Sequence, residues 1–242
     1  MTTGKYISKT GEILTVELIE DKKYGLLIRP DTSDKAMILD SMKRDYGTLN
    51  CANARVLDLG GNVGGFILKA SVDGAAVIRS YEPEPFNFNV MELNAGIVGK
   101  RYPNVEIQLV EAAVSDVEGT FNLQVRNGEN SPCSASLTAK ASKAFTSIPV
   151  QVKAIADVYA EFKPTIIKMD IEGAEYQVLT VPIPESVTDI VMELHGFSKS
   201  NNQQMLATFE RFSTDPKWKV INKKEVVVFS ALSLMLVHFQ RV

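Results

Sequence analysis

The chain has 242 residues, with 26 Lys+Arg against 29 Asp+Glu for a net charge of −3, and is 45% hydrophobic and 23% charged. This is the make-up of an ordinary globular chain long enough to bury a sizeable core, without the strongly basic balance of a domain that grips nucleic acid. The two cysteines lie far apart with no CxxC, and there are only two histidines, so the ligand spacing of a Cys/His zinc site is missing. Cys51 and Cys133 are therefore expected as reduced thiols. The opening MTTGKYISKTGE is polar, and no run approaches the roughly 20 apolar residues of a membrane span. A cytoplasmic protein without membrane contact is expected.

In chain order, residues 13–19 (ILTVELI) and 25–29 (GLLIR) read as two short strands around the polar turn EDKK. TSDKAMILDSMKRDY follows as a helix, with Ser33 or Asp34 as its cap and Ile38, Leu39, Met42 and Tyr46 at helical spacing. Residues 1–50 form an N-terminal lead-in, and 51–242 the main part of a single domain. From residue 55 strands alternate with helices: RVLDLG, then VGGFILKASV; AAVIRSYEP, then PFNFNVMELNAGI; VEIQLVEAAV as a strand. Further on come ADVYAEF, TIIKMD, EGAEYQVL, TDIVMELH, NNQQMLATFERF, WKVI and LSLMLVHF. Such alternation predicts a mostly parallel sheet with helices on both faces. The last two strands have no helix between them, which implies a hairpin and one antiparallel strand. Between residues 120 and 152 the rhythm breaks. TFNLQV and SIPVQV read as a hairpin joined by a long polar segment at residues 126–146.

The turn in VLDLGGNVGGF should mark the ligand site, because open α/β sheets bind at strand carboxyl ends. A nucleoside triphosphate needs GxxxxGK[ST], but here Phe66 follows the glycines. A dinucleotide needs a middle glycine for close approach of its pyrophosphate, and Asn62 stands there, against a nicotinamide oxidoreductase. S-adenosylmethionine carries no phosphate, and D-x-G-x-N-x-G supplies what it needs through Asp58, Gly60, Asn62 and Gly64. Asp58 can accept from its ammonium, and the following helix N-terminus favours its carboxylate. Glu82, 24 residues after Asp58 at the next strand end, is placed to accept both ribose hydroxyls. Glu84 ranks below it because it lies past Pro83. Glu111, Ala112 and Ala113 fall where an adenine ring would rest, with Glu111 or Asp116 accepting from its amino group.

The ordered segments TSD before a helix, VLDLGGNVGGF, YEPEPFNFNVMELN, EAAVSDVEGTFNL, IIKMDIEGAEYQVL and VMELHG resemble the FkbM-like family of class I methyltransferases over residues 28–197. The resemblance implies a Rossmann-like seven-stranded sheet with an antiparallel last strand. It also implies S-adenosylmethionine as methyl donor and a hydroxyl of a small molecule or glycan as acceptor.

Methyl transfer to oxygen needs a group that removes the hydroxyl proton. His195 is the expected general base, since its ordinary pKa lies near working pH. Asp170, at the end of TIIKMD, would orient His195 or the substrate, or line the cofactor pocket. Lys168 shares its side of that strand, and Glu193 and His195 share one face of theirs. Glu172 and Glu175 read equally well as helix-start acids favoured by the dipole. Asp170, Glu193 and His195 would also suit a magnesium ion, but carboxylates beside a histidine do not require one and no metal is expected. Lys140 and Lys143 are too few to argue for nucleic acid. The acceptor is expected beneath residues 126–146 and the lead-in. A nicotinamide oxidoreductase and a non-catalytic adenosylmethionine-binding protein are the competing functions.

Overall fold

The computed structural model describes residues 1–8, 10–44, 46–128, 135–196, 199–228 and 232–242. Strands β1 (Thr3–Ile7) and β2 (Ile13–Glu17) form an antiparallel hairpin, and the two-residue strands β3 (Ile19–Glu20) and β4 (Leu27–Ile28) pair separately. Residues 13–19 and 25–29 are thus not one pair of neighbouring strands. Gly11, at φ 84°, and the hydrogen bonds between Ser8 and Glu12 and between Gly11 and Ser8 turn the chain so that β2 folds back on β1. Helix α1 (Asp34–Leu39) continues as a π-helical turn over Asp40–Arg44. Neither predicted cap acts as one, since Ser33 makes no capping bond and the Asp34 side chain is taken by Arg29.

The main sheet follows the expected alternation. Its units are β5 (Arg55–Leu59), α2 (Gly65–Val72), β6 (Val77–Tyr81), α3 (Pro85–Arg101) and β7 (Glu106–Val110). After a smaller sheet, α4 (Ile155–Phe162), β12 (Ile166–Met169), α5 (Glu175–Val178), β13 (Asp189–Gly196), α6 (Lys199–Thr214), β14 (Trp218–Val228) and β15 (Leu232–Arg241) complete it. The smaller sheet holds β8 (Ala113–Ser115), β9 (Gly119–Arg126), β10 (Ala135–Ser136) and β11 (Phe145–Ala154) in the order β10-β9-β11-β8. The apolar run VEIQLVEAAV is therefore two strands in two sheets, parted at Glu111 and Ala112. The predicted hairpin of TFNLQV with SIPVQV is the β9–β11 pairing.

The large sheet runs β14-β15-β13-β12-β5-β6-β7. It is parallel at every join among β13, β12, β5, β6 and β7, and β15 is antiparallel to both its neighbours. The chain leaves β5 toward β6 and β7, then returns on the other side of β5 to β12 and β13. The topology therefore switches between β5 and β12, where open α/β sheets bind ligands. Buried strands read as near-continuous apolar runs because both faces are covered. Leu57, Leu59, Ile167 and Met169 join the core with α4, α5 and α6, while Val56 and Ile166 join the core with α1, α2 and α3. No described helix is long and apolar enough to cross a membrane.

Two polar anchors pin the lead-in to α3. Asn94 pairs with both backbone groups of Leu27 and also donates to the Val63 carbonyl. Arg29 is fully buried, and its Nε and Nη2 grip Asp34 at 2.9 and 2.8 Å while Nη2 also reaches Asn87 at 2.7 Å. Removing the guanidinium would leave the Asp34 charge buried and unpaired. Arg29→Ala should lower the urea-unfolding free energy by about 3–5 kcal/mol, and the double change Arg29→Met, Asp34→Leu should restore most of it.

Candidate active site

Adjacent parallel strands place residues in rows, and one row underlies the switch point. Lys168 stands opposite Asp58, and Asp58 opposite Ser80. Lys168 Nζ lies 3.2 Å from Asp58 Oδ1, and Ser80 Oγ donates to Asp58 Oδ2 at 2.6 Å. Asp58 is fully buried and does not line the cavity above it. Lys168 also donates to the carbonyls of Leu59 and Gly60. Burial works against its charge, but Asp58 and then Asp170 outweigh that and lift its pKa above the ordinary lysine value.

The glycine turn rises from this row. The Gly60 and Gly61 N–H groups both donate to the Tyr81 carbonyl. Gly60 has φ 86°, and a Cβ there would stand 1.8 Å from the Asp170 carbonyl oxygen. A Cβ on Gly61 would strike Ser80 and Met91 at 2.2 and 2.4 Å. Asn62 sits at φ 49°, a left-handed conformation that asparagine tolerates better than most residues, and its Oδ1 accepts from Val63 N–H. Gly64, at φ 88°, forms the N-cap of α2 outside the cavity wall.

Glu82 closes the turn from the end of β6. Its Oε2 accepts from Asn62 N–H at 2.8 Å and its Oε1 from Glu84 N–H at 2.9 Å. Each oxygen keeps a second lone pair, so the carboxylate can still accept two hydroxyls. Burial pushes its pKa up to about 7, opposed by those backbone donors. Glu84 serves as the N-cap of α3, accepting from Phe86 and Asn87 N–H.

A cavity of about 450 Å³ opens over these strand ends. Gly60, Asn62, Glu82, Ala112, Asp170 and His195 line it together. Glu111 is exposed and lies outside the lining, and Asp116, also exposed, accepts from Ser115. Beside Ala112, the apolar wall comes from Ala113, Val114, Leu123, Ala135 and Leu137, much of it from the smaller sheet. Met37, Asp40, Ser41 and Tyr46 of the lead-in line the cavity too. Ser136 Oγ ties residues 135–137 to the Glu172 carbonyl at 2.6 Å. Cys133 and the serines at 131 and 134 lie outside the described residues. Cys51 is a free, buried thiol whose pKa burial pushes up to about 12.

His195, 6% exposed, lines the same cavity. Its Nε2 lies 3.6 Å from Glu172 Oε2 and 3.9 Å from both Asp170 Oδ1 and Glu193 Oε2. Its Nδ1 pairs with Glu175 Oε1 at 3.0 Å. Glu175 is no solvated helix-start acid. It is fully buried, and the same oxygen accepts from Ile171 and Gly173 N–H. Burial works against a charge on His195, yet Glu175 and Glu172 raise its pKa well above 6.5. Burial raises the Glu172 carboxyl in turn, with His195 opposing. The carboxylates around the imidazole thus favour its charged form. Tyr46 falls at an apolar helix position by its spacing, and its hydroxyl reaches Asp170 Oδ2 at 3.5 Å. Lys224, from β14, also lines the cavity.

A sequence profile described as the methyltransferase FkbM domain matches residues 58–215. The chain belongs to the FkbM methyltransferase family. Among solved structures, an FkbM methyltransferase from Methylobacillus flagellatus KT superposes with a TM-score of 0.48 at 15% identity, covering 82% of this chain and 47% of that one. Trm5b from Pyrococcus abyssi does so at 0.49 and 11%, covering 98% and 62%. A ribosomal protein L11 methylase from Lactobacillus delbrueckii subsp. bulgaricus does so at 0.45 and 11%, covering 88% and 83%. The chain thus spans about half the length of the FkbM structure it matches. No curated protein matches it significantly.

The methyl donor of this FkbM domain is S-adenosylmethionine, and the cavity has the chemistry to hold it. Glu82 presents a braced carboxylate to vicinal hydroxyls, Ala112 to Val114 with Leu123 and Leu137 offer an apolar slot for a flat ring, and the Asn62–Val63 backbone leads into the α2 N-terminus. Bound there, the cofactor supplies an electrophilic methyl group. Gly60→Ala should abolish adenosylhomocysteine binding in calorimetry, because the loop can no longer pack on Asp170. The folded Glu82 carboxyl, lifted to about 7 from 4.5, favours the fold fully below pH 4.5, and that contribution is lost as pH rises through 7. In the cofactor-free protein, the unfolding free energy of wild type minus that of Glu82→Gln should therefore decline from pH 5 to pH 8, by up to about 3 kcal/mol.

Proposed function

We propose that this FkbM chain methylates a hydroxyl oxygen of a small molecule or sugar. The observation that carries the reading is the convergence of His195, Asp170, Glu172 and Glu193 at the cavity end beside the glycine turn. A hydroxyl is a poor nucleophile until its proton is drawn away, and this group of side chains is built to hold a proton between them. Asp170 belongs to both halves of the cavity. Its carbonyl packs on Gly60 and its carboxylate faces His195, so an acceptor held there lies next to the cofactor loop.

His195 acts as the centre of this proton-accepting group, with Glu175 fixing its ring from behind. Asp170 and Glu193 flank the place of the acceptor oxygen. Asp58 acts from below, through Lys168 and the loop carbonyls. Glu82, Asn62, Gly60 and Ala112 serve the cofactor half. The cavity volume lies in the range of small-molecule sites, and the net charge of −3 supports an acceptor other than nucleic acid. The reduced, buried Cys51 accords with a cytoplasmic setting.

The test is a panel of polyhydroxylated small molecules and glycosides incubated with methyl-labelled S-adenosylmethionine. A methyl ether, seen as a methoxy resonance, is the expected product, and methyl found only on nitrogen or carbon would overturn the assignment. His195→Ala should bind adenosylhomocysteine within about threefold of wild type but lose transfer by about 100-fold or more. Full turnover in that variant would make the histidine purely structural.

A further inference from the structure

Three carboxylates approach one imidazole nitrogen at 3.6–3.9 Å. These separations exceed hydrogen-bonding range, so the groups converge on a shared space without closing on one another. Asp170 comes from the end of β12, and Glu193 and His195 from one face of the adjacent strand β13. One ligand atom from each of the three lies within 4.8 Å of the others. Around an octahedral ion with bonds of about 2.1 Å, ligand atoms stand about 3 Å apart when adjacent and about 4 Å when opposite. Closure of about an ångström therefore brings these side chains to coordination distance.

A second, independent observation points the same way. Glu175 holds Nδ1 of His195 from behind at 3.0 Å. In the neutral ring, with that proton on Nδ1, the Nε2 lone pair faces Asp170, Glu172 and Glu193. This is the carboxylate–histidine relay that orients an imidazole toward a metal. The other oxygen of Glu175, Oε2, is buried with no hydrogen-bond partner, on a side chain with no solvent exposure. Four carboxylates lie within 4 Å of His195.

We infer that Asp170, Glu193 and His195 form a divalent-cation site at the acceptor end of the cavity, with Glu172 at its rim. Two carboxylates with one imidazole suit manganese(II), which accepts both ligand types. The inference rests on the reading of this end as the acceptor site and gives it a further part. The ion would anchor the acceptor hydroxyl and make its proton easier to remove. His195 then holds the ion at the centre of that group, and Glu172, another of its members, takes the departing proton.

The experiment titrates manganese(II) into the full chain stripped of metal with chelator, following the free-ion signal by electron paramagnetic resonance. The expected result is one ion bound per chain in the micromolar range, weakened about tenfold or more by Glu193→Gln and by Glu175→Gln. Calorimetry with adenosylhomocysteine on the same samples should give wild-type affinity for Glu193→Gln, which shows that the variant is folded. Absence of saturable one-to-one binding, or a Glu193→Gln titration equal to wild type, overturns the site. Transfer to a hydroxyl acceptor at full rate in excess chelator overturns the ion while leaving the methyltransferase reading intact. A manganese site in a chain that methylates no hydroxyl overturns the acceptor reading instead.

Discussion

The Asp58–Lys168 pair at the switch point is the interaction on which the rest of the site depends. Both side chains are out of water. Such pairs are expensive to bury, and breaking one leaves a charge that the interior cannot solvate. What this pair provides here is registration. It locks β5 to β12, holds Ser80 of β6 through Asp58, and fixes the carbonyls of Leu59 and Gly60 through Lys168. Three strands and the start of the glycine turn thus share one polar node. The cofactor half of the cavity, above Gly60 and Glu82, and the acceptor half, above Asp170, diverge from it.

A second consequence concerns charge. Lys168 is tied to Asp58 below, and Asp170 and Glu193 above also favour its charge. Asp170, Glu172 and Glu193 approach the outer nitrogen of His195, and Glu175 faces its inner nitrogen from inside the core. Together these acids favour the charged imidazole despite its burial, so its pKa lies above the ordinary histidine value. The useful quantity is the field of the four carboxylates, and no single residue carries it.

Much of the sheet is legible in the sequence because its strands are buried on both faces and are punctuated by glycine turns and helix caps. VLDLGGNVGGF and YEPEPF carry the first three elements almost unaided. The misreadings have local causes. TGKYI is too short and too polar to announce a strand, so its partner at residues 13–17 was matched to the wrong neighbour. VEIQLVEAAV shows unbroken apolarity across a point where the chain changes sheets, and periodicity cannot see that. In the site, Gly60, Asn62, Glu82, Ala112, Asp170 and His195 share one cavity because each ends or follows a strand of the same sheet or abuts it. Glu111 looked equivalent by position, but the change of sheet at Ala112 leaves it facing solvent. Tyr46 and Lys224 come from the lead-in and the last hairpin, contacts of long sequence separation that no local pattern encodes. By position alone Glu175 matches a solvated helix-start acid, and only its complete burial sets it apart.

Asn62 shows how one departure from a common pattern organises the cofactor half. A glycine there would reach the same left-handed backbone at lower conformational cost. Asparagine adds a side chain that accepts from Val63 N–H, stiffening the turn. Its own N–H meanwhile braces Glu82. The buried carboxylate thus gains a fixed donor from the loop and a second from Glu84, which offset part of its desolvation. The turn does not merely leave room for a ligand. It holds in place the acid that would receive the ribose, and a pyrophosphate, which would set its own negative charge against that acid, is the wrong guest for it.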